Sequence, residues 1–304
     1  METRRLQYFI EVCRAGSMTR AATRLDVSQA ALSQQIAILE TEFKTRLLVR
    51  SRAGVKATTA GEMLLREAQI ILRQIEQARG AVAGRSGQIS GTVSIGFTTG
   101  AGALFAVPLM QEAGRLYPHI RLHFLEGMTG ELTERLINGQ LDLATLLRNE
   151  ARAGVLSTPM FKEDLFLISP ATFDLADGVR AAELEALKMI LPSSRHTLRT
   201  LYDAVFRQAD ITPNIIAEID SVSMIRGAVL AGIGATIQPR SSWTSELQDG
   251  VVKASLVTGV PMHLSYWLSR SPSPLTAAAR AVCSVLEKIV DENAPAARNG
   301  DRPT

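Results

Sequence analysis

The stretch from Met18 to Phe43 constrains the fold more than any other part of the chain. Its apolar residues recur at spacings of three and four, which predicts two short helices that each have one inward face. Asp26 and Val27 interrupt this period, and the hydroxyl of Ser28 can cap the helix that follows. The predicted inward residues are Ala21, Ala22 and Leu25 in the first helix and Ala31, Leu32, Ile36 and Leu39 in the second. The stretch therefore predicts two helices joined by a tight turn.

The outer face of the second helix is polar and uncharged. It carries Gln29, Ser33, Gln34 and Gln35. Amide and hydroxyl groups supply donors and acceptors together, as hydrogen bonding to base edges in duplex DNA requires. A face in contact with solvent alone would usually carry Lys and Glu. The alternative is a helical hairpin whose exposed side is amide-rich without binding anything.

Charge is distributed unevenly along the chain. The segment up to Gln88 holds 14 Lys and Arg against 8 Asp and Glu, whereas the remainder holds 19 against 22. A basic front part and a slightly acidic rear part are typical of a nucleic-acid-binding module joined to a different domain.

Length and composition limit the class of protein. A chain of 304 residues has room for about two domains, and 46% hydrophobic with 21% charged residues is ordinary for a globular protein. No secretory signal or bilayer-spanning run is found, so we expect a cytoplasmic chain without membrane contact. The two cysteines, Cys13 and Cys283, lie at opposite ends and indicate neither a disulfide framework nor a metal site. No cofactor is indicated.

The residues around the helical pair predict a small DNA-binding domain. A further helix over Arg4–Arg14 completes a three-helix core, and Leu47–Val49 and Val55–Ala57 are predicted as the strands of a β-hairpin. Such a hairpin is called a wing. Its basic residues are Arg50, Arg52 and Lys56. They suit phosphates or a narrow minor groove, and a solvated basic loop is the alternative.

A long helix is predicted after the wing. Thr59 and Glu62 have capping-box spacing at its start. An apolar seam with a 3.5-residue period follows and consists of Leu64, Ala68, Ile71, Ile75, Ala78 and Val82. This period is that of a helix packed on another helix. We expect a second copy of the chain as the partner, with packing against the chain's own second domain as the competing explanation.

The organisation changes after the glycine-rich linker Ala83–Gly91. Strand and helix patterns alternate from there, which predicts a parallel α/β sheet in two similar lobes with a cleft between them. The predicted strands are Thr92–Phe97, Ile120–Glu126, Leu141–Leu146, Leu165–Ser169, Lys188–Leu191, Ile215–Ile219, Gly234–Ile237 and Met262–Leu268. The predicted helices are Ala103–Tyr117, Thr129–Asn138, Thr197–Gln208, Val222–Ala231 and Leu275–Val290.

The predicted segments are a DNA-binding domain (1–58), a linker helix with hinge (59–91), a two-lobed α/β domain (92–293) and a disordered tail (294–304).

Two segments, AATRLDVSQAALSQQIAILE (Ala21–Glu40) and LLVRSRAGVKATTAGE (Leu47–Glu62), resemble the LysR-type transcriptional regulators. The resemblance extends from about residue 3 to residue 290. It implies an all-α winged helix-turn-helix, a linker-helix dimer and a two-lobed α/β domain similar to type 2 periplasmic binding proteins. Members of that family bind interrupted dyads near promoters as dimers or tetramers and often repress their own synthesis. RNA polymerase is the partner that such binding would affect.

Within that family, three segments resemble the subgroup of the nitrogen assimilation control protein. They are Val93–Phe97, Lys162–Ser169 and Ala231–Pro239. Ala30 stands where the family commonly has proline after the Ser-Gln pair. This departure leaves the DNA role intact and leaves the operator sequence undetermined.

The predicted DNA contacts divide into two kinds. Gln29, Ser33 and Gln34 occupy the first turns of the helix that would enter the major groove, so we expect them at base edges. Phosphate contacts are expected through the hydroxyls of Thr19 and Ser28 and through the charges of Arg50, Arg52 and Lys56.

A small-molecule site is predicted where strands end in the α/β cleft. The candidate residues are Thr98, Thr99, Met128, Thr129, Ser193, Ser194, Ser221 and Ser223, with His196 as a further cleft residue. Hydroxyls and free N–H groups at helix N-termini favour a small organic anion. The alternative is that these residues are helix caps only. The resemblance implies an effector there, although members like the nitrogen assimilation control protein are thought to act without one.

Signals for catalysis are weak, and the chain is predicted not to be an enzyme. It contains no Walker lysine motif, G-x-S-x-G elbow or H-E-x-x-H motif. His119 and His123 are four residues apart, but on a strand this separates them by roughly 13 Å, too far for one metal ion. The first hypothesis is a dimeric or tetrameric regulator that binds double-stranded DNA. The alternative is a small-molecule binding protein or α/β enzyme whose N-terminal helices only dimerise.

Overall fold

The structure is a computed structural model that describes residues 2–51, 54–83, 88–150, 154–272 and 274–293. It describes only the backbone of residues 73, 76, 77 and 79–83. The N-terminal part contains α1 (Thr3–Ala15), α2 (Met18–Arg24), α3 (Gln29–Glu42), β1 (Leu48–Ser51), β2 (Gly54–Ala57) and α4 (Thr59–Ala83). The helix–turn–helix predicted from sequence is confirmed, with α2 and α3 in the places assigned to it.

Side-chain caps fix where α2 and α3 begin. The Ser17 hydroxyl accepts a hydrogen bond from the Arg20 N–H, and the Ser28 hydroxyl accepts one from the Ala31 N–H at 3.1 Å. Each cap satisfies one of the backbone donors that the first turn of a helix leaves without an intrahelical partner.

The three N-terminal helices enclose an apolar core of their own. Leu32, Ile36 and Leu39 from α3 are fully buried in it, together with Leu6 and Phe9 from α1. The prediction that Ala31 faces inward is wrong, because its side chain is exposed. Ala31 precedes Leu32 by one residue, which rotates it by about 100° away from the buried stripe.

The wing is held to the helices by backbone hydrogen bonds. Strands β1 and β2 are antiparallel, with Leu48 opposite Ala57. The Val55 N–H donates to the Gly16 carbonyl at 2.9 Å. A carboxylate oxygen of Glu40 on α3 accepts from the N–H groups that lead into β1, at 2.8 and 3.1 Å. The wing and α3 therefore form one unit.

Helix α4 departs from two predictions. The Thr58 hydroxyl, rather than a Thr59 capping box, caps it by accepting from the Gly61 N–H at 3.0 Å. The predicted partner-facing seam is also wrong in its first half, since Leu64 and Ala68 are buried in the N-terminal core and Ile71 packs against that core. This happens because α4 packs across α1. Further along, Ile75 is half-buried, Ala78 is exposed, and the side chain of Val82 lies outside the described residues.

The rest of the described chain forms two α/β lobes. The first lobe begins with β3 (Gly91–Phe97), α5 (Thr99–Leu116), β4 (Ile120–Glu126), α6 (Thr129–Ile137) and β5 (Leu143–Leu146). Strand β6 (Leu156–Pro170) leads to β7 (Gly178–Arg180), a 3-10 turn (Ala181–Ala186), β8 (Lys188–Leu191), α7 (Thr197–Gln208), β9 (Asn214–Glu218) and α8 (Val222–Leu230). The last elements of the described part are β10 (Thr236–Pro239), a 3-10 turn (Arg240–Trp243), α9 (Thr244–Gln248), β11 (Val252–Thr258), β12 (His263–Arg270) and α10 (Ala277–Asn293).

The α/β architecture is confirmed, but the sheet is mixed rather than parallel as predicted. Its strand order is β4-β3-β5-β12-β6-β11-β7, with β10 also on β6 and a separate β8-β9 pair. The β3/β4, β3/β5, β8/β9 and β11/β7 pairs are parallel. Strand β6 is antiparallel to β10, β11 and β12.

The sheet contains antiparallel pairs because β6, which belongs to both lobes, runs antiparallel to its neighbours. Its first part, 156–164, pairs with β12, and its second part, 165–170, pairs with β10 and β11. Since β12 also pairs with β5, these two long strands connect the lobes and lie at the base of the cleft. Within the described ranges, none of the helices combines the length and the apolar composition that crossing a bilayer requires.

Substitution of two helical glycines tests how closely α4 approaches the wing. A Cβ at Gly61 would lie 2.0 Å from the Leu47 carbonyl oxygen, whereas one at Gly114 on α5 would meet nothing within 4 Å. We expect Gly61→Ala to destabilise the N-terminal domain by about 1–3 kcal/mol through overpacking. The matched control Gly114→Ala should instead stabilise its helix by about 0.5–1 kcal/mol. Urea unfolding followed by circular dichroism measures both, and equal effects would contradict the close contact.

Candidate DNA-contacting surface and interlobe cleft

The outward face of α3 lies where a duplex can reach it. Gln29 and Gln34 are exposed, and Ser33 is half-buried between them. The Thr19 hydroxyl donates to the Gln29 side-chain oxygen at 3.3 Å. This bond orients the Gln29 amide, because its nitrogen must then lie on the opposite side of the group. The predicted base-reading residues therefore share one accessible surface.

The wing adds positive charge beside this surface. The Arg50 guanidinium donates to the Ser33 hydroxyl at 3.1 Å, which places a cation directly against α3. Lys56 is exposed on β2. Ser28 accepts a bond from the Ala31 N–H as the α3 cap, and its own hydroxyl hydrogen can still donate to a phosphate. The remaining predicted contact, Arg52, lies outside the described residues.

Two features of this surface were missed by sequence reasoning. Ala30 and Ala31 are both exposed in the first turn of α3, and small apolar side chains there suit the methyl group of thymine. Arg5 on α1 donates to the Gln35 side-chain oxygen at 3.1 Å. Gln35 is therefore tied to α1 and is less available to DNA than Gln29 and Gln34.

A cavity of about 270 Å³ lies between the lobes. The first lobe contributes Thr98, Thr99, Gly100, Glu126, Gly127, Met128, Thr129, Glu131 and Leu147. The second lobe contributes His196, Leu198, Asp220, Val222, Gln238, Pro239 and Ser242, and the connecting strand β12 contributes Leu264 and Tyr266. The position agrees with the rule that ligands bind at the carboxyl ends of parallel strands.

The cavity includes some of the predicted effector residues and leaves others out. Thr98, Thr99, Met128, Thr129 and His196 line it. Ser193, Ser194, Ser221 and Ser223 are not among its lining residues. The Ser221 hydroxyl caps α8 by accepting from the Met224 N–H, and it hydrogen-bonds the Ser223 hydroxyl at 2.9 Å. The observed contacts of these two serines agree with the alternative that such residues only cap helices and bind no ligand.

Asp220 is a cavity residue that the sequence analysis did not single out. It accepts hydrogen bonds from the Ser193 N–H at 2.8 Å and the Ser193 hydroxyl at 2.9 Å. These bonds lower the pKa of the Asp220 carboxyl, so it stays ionised at neutral pH. Its signal in the sequence was its place directly after the predicted strand Ile215–Ile219.

His196 enters the cavity as a neutral ring. Its Nδ1 accepts a hydrogen bond from the Leu198 N–H at 3.2 Å, which caps α7 and leaves the ring proton on Nε2. Burial lowers the pKa of His196, and the nearby Asp220 carboxylate offsets only part of that effect.

The strands at the base of the cleft carry a buried carboxyl group, Glu163, on β6. Burial raises the pKa of Glu163, although the neighbouring Ser241 and Tyr266 oppose the rise. The Tyr266 ring stacks on Phe161 with centroids 4.3 Å apart. Glu163 also lines a second, wider hollow of about 850 Å³.

His119 and His123 do not form a site. His119 precedes β4, His123 lies on it, and both side chains are exposed. Among the residues that the structure describes, no group of three or more His, Cys, Asp or Glu side chains is arranged to hold a metal ion.

The raised pKa of Glu163 predicts a pH-dependent stability. A carboxyl whose pKa is higher in the folded state adds stability at low pH, and this contribution is lost as pH rises through the folded pKa. We therefore expect Glu163→Gln, which cannot ionise, to gain melting temperature relative to the parent chain as pH rises from about 4.5 to about 8. Thermal melting across that range, with the exposed Glu134→Gln as control, measures the difference. A difference that does not change with pH would contradict the buried, proton-binding carboxyl.

Two family descriptions match the chain. Residues 3–62 match the bacterial regulatory helix-turn-helix protein of the lysR family, and residues 86–289 match the LysR substrate binding domain. The nitrogen assimilation regulatory protein nac of Escherichia coli is 36% identical over 272 residues, covering 86% of this chain and 89% of that protein. The protein of the same name from Klebsiella aerogenes is 34% identical over 292 residues, covering 95% of each chain. The subgroup resemblance seen in the sequence agrees with these relatives.

Solved structures share the fold. A full-length OxyR variant from Pseudomonas aeruginosa has a TM-score of 0.75 at 23% identity, covering 97% of this chain and 96% of that one. Full-length CbnR in complex with its target DNA has a TM-score of 0.67 at 22% identity, covering 97% and 100%. The two family matches together with the relatives above 30% identity establish that the chain belongs to the LysR family of DNA-binding transcriptional regulators, with a helix-turn-helix domain and an effector-binding domain, and is not an enzyme.

Proposed function

We propose that this regulator reads a duplex through the outer face of α3 and holds its phosphates with the wing. Gln29, Ser33 and Gln34 would contact base edges in the major groove. Phosphate contacts would come from Ser28, Arg50, Arg52 and Lys56, and from Thr19 if its hydroxyl exchanges the bond to Gln29 for one to a phosphate. The observation that supports the proposal most strongly is the Arg50–Ser33 hydrogen bond, in which the Arg50 cation lies against the outer face of α3.

A second copy of the chain is the proposed partner in this binding. Half of the α4 seam is used within the chain, so the residues left for a partner are Ile75, Ala78 and Val82 at its far end. Other large apolar side chains are exposed on the effector-binding domain, including Val107 and Met110 one turn apart on α5 and Met224 on α8. Such exposed apolar faces support a homodimer or homotetramer.

The cleft would control DNA binding. A ligand that binds one arrangement of the lobes more tightly than another shifts the population toward that arrangement. Because the lobes are joined through β6 and β12, this shift would change the angle between the DNA-binding domains of an oligomer and thereby the contact with RNA polymerase. The candidate ligand from the helix N-termini of the cleft is a small organic anion. The expected location is the cytoplasm.

Two substitutions separate base reading from phosphate binding. Gln29→Ala should lose about 1–3 kcal/mol of discrimination at particular base pairs of the operator. Lys56→Ala should weaken binding to every duplex about equally and reduce the slope of log affinity against log salt by about one. Fluorescence anisotropy with an operator mapped by genome-wide binding, and with a scrambled duplex, measures both effects over a salt series.

The control for these variants is Gln7→Ala, which removes an exposed glutamine from α1, outside the proposed surface. It should bind both duplexes like the parent chain. If Gln29→Ala and Lys56→Ala lost affinity for the operator and the scrambled duplex in the same proportion, the division of roles would be wrong. Binding of the parent chain without salt dependence would contradict the DNA surface as a whole.

A further inference from the structure

We propose that the interlobe cavity is built for an α-amino acid, whose carboxylate lies at the helix N-termini of the first lobe and whose ammonium group lies between Glu126 and Asp220. The inference rests on the proposed function in one respect, namely that the cleft binds an effector. It narrows the expectation of a simple organic anion, because the charges around the cavity require a positive group on the ligand as well.

The first lobe supplies hydrogen-bond donors for a carboxylate. Helices α5 and α6 both begin at the cavity wall, at Thr98–Thr99 and Met128–Thr129. Neither helix has a side-chain cap, in contrast to α7 and α8, whose first turns are capped by His196 and Ser221. The first N–H groups of α5 and α6 have no intrahelical acceptor, so a ligand oxygen can accept from them.

The charged side chains that line the cavity are carboxylates. Glu126, Glu131 and Asp220 line it, whereas no Lys or Arg occurs among the described residues that do so. Glu131 forms an ion pair with Arg135 at 2.9 Å on the exposed side of α6. Glu126 accepts a hydrogen bond from the Thr99 hydroxyl at 2.7 Å, and no described Lys or Arg lies within ion-pair distance of it. A ligand with only negative charge would meet these carboxylates without a neutralising cation.

The carboxylate that the second lobe contributes, Asp220, can pair with a cation. Asp220 is ionised because Ser193 donates two hydrogen bonds to it. His196, the neighbouring ring in the cavity, is neutral and supplies no positive charge. A ligand ammonium group that reached both Asp220 from the second lobe and Glu126 from the first would form charge-assisted bonds to both lobes, and these bonds would favour the closed arrangement.

The volume and the lining of the cavity suit a ligand with a small side chain. Its volume of about 270 Å³ is just below the range of about 300–1,000 Å³ that is usual for ligand sites. Leu198, Val222 and Leu264 give it apolar walls, and the amide of Gln238 is a buried polar group at its edge. An amino acid with a short or medium-length side chain matches these dimensions and this mixture of groups.

The test uses the full chain and titration calorimetry against each of the twenty standard L-α-amino acids. At least one should bind with measurable heat. For the tightest, two matched analogues follow, namely the carboxylic acid without the ammonium group and the methyl ester without the carboxylate. Both should bind at least about tenfold more weakly, because each lacks one of the two charged anchors.

Isosteric variants assign the ammonium site. Asp220→Asn and Glu126→Gln should each weaken amino-acid binding by about tenfold or more while leaving the affinity for the carboxylic acid analogue unchanged or higher. Asp249→Asn, an exposed change at the end of α9, is the control and should bind like the parent chain. The melting temperature of each variant shows whether it is folded. Because two positions are substituted independently, a folding defect in one variant does not decide the result.

The outcomes separate this inference from the function it rests on. Retention of random duplex DNA at low salt is measured on the same preparation. If DNA is retained but no amino acid binds, or the carboxylic acid binds as tightly as the amino acid, the inference is overturned and the regulator function stands. If DNA is not retained, the proposed function fails, and the calorimetry still decides whether the cavity takes an amino acid.

Discussion

The packing of α3 against α1 is the constraint on which the DNA-contacting surface depends. A helix can bury one stripe, and here Leu32, Ile36 and Leu39 occupy it completely. Burial of that stripe forces Gln29 and Gln34 outward, and the Glu40 carboxylate then fixes the wing beside them through two backbone hydrogen bonds. The exposure of the polar face therefore follows from one apolar contact, and the position of the wing follows from the Glu40 hydrogen bonds.

A comparable constraint acts in the effector-binding domain through its connecting strands. Because β6 pairs with β12 in its first part and with β10 and β11 in its second, neither lobe can move without bending a strand that it shares with the other. The Phe161–Tyr266 stack lies on these strands, and Tyr266 also lines the cavity. A ligand in the cleft would therefore contact β12, one of the two strands that connect the lobes.

Sequence reasoning was most successful where local signals agree with the tertiary structure. Strands Ile120–Glu126 and Lys188–Leu191 and helix Thr197–Gln208 have the predicted bounds because apolar period, caps and turns coincide there. The first half of β6 was missed since Pro159 and three charged residues interrupt its apolar alternation. Only tertiary contacts decide that Leu64 and Ala68 pack within the chain. The topological rule that selected the hydroxyls of the cleft also reaches Glu126, the last residue of β4, and Asp220, two residues after β9. Their proposed role depends on where Lys and Arg side chains lie, which the sequence does not show. The predicted bounds of the domains and of the tail stay predictions.

The central claim is that the exposed face of α3 is where this regulator holds DNA. Hydrogen–deuterium exchange of the full chain, with and without an excess of random duplex at low salt, tests it most directly. The account predicts slower exchange in peptides that cover Ser28–Gln35 and the wing strands, and unchanged exchange over Val222–Leu230 on α8. Unchanged exchange over Ser28–Gln35, with protection elsewhere, would contradict the account.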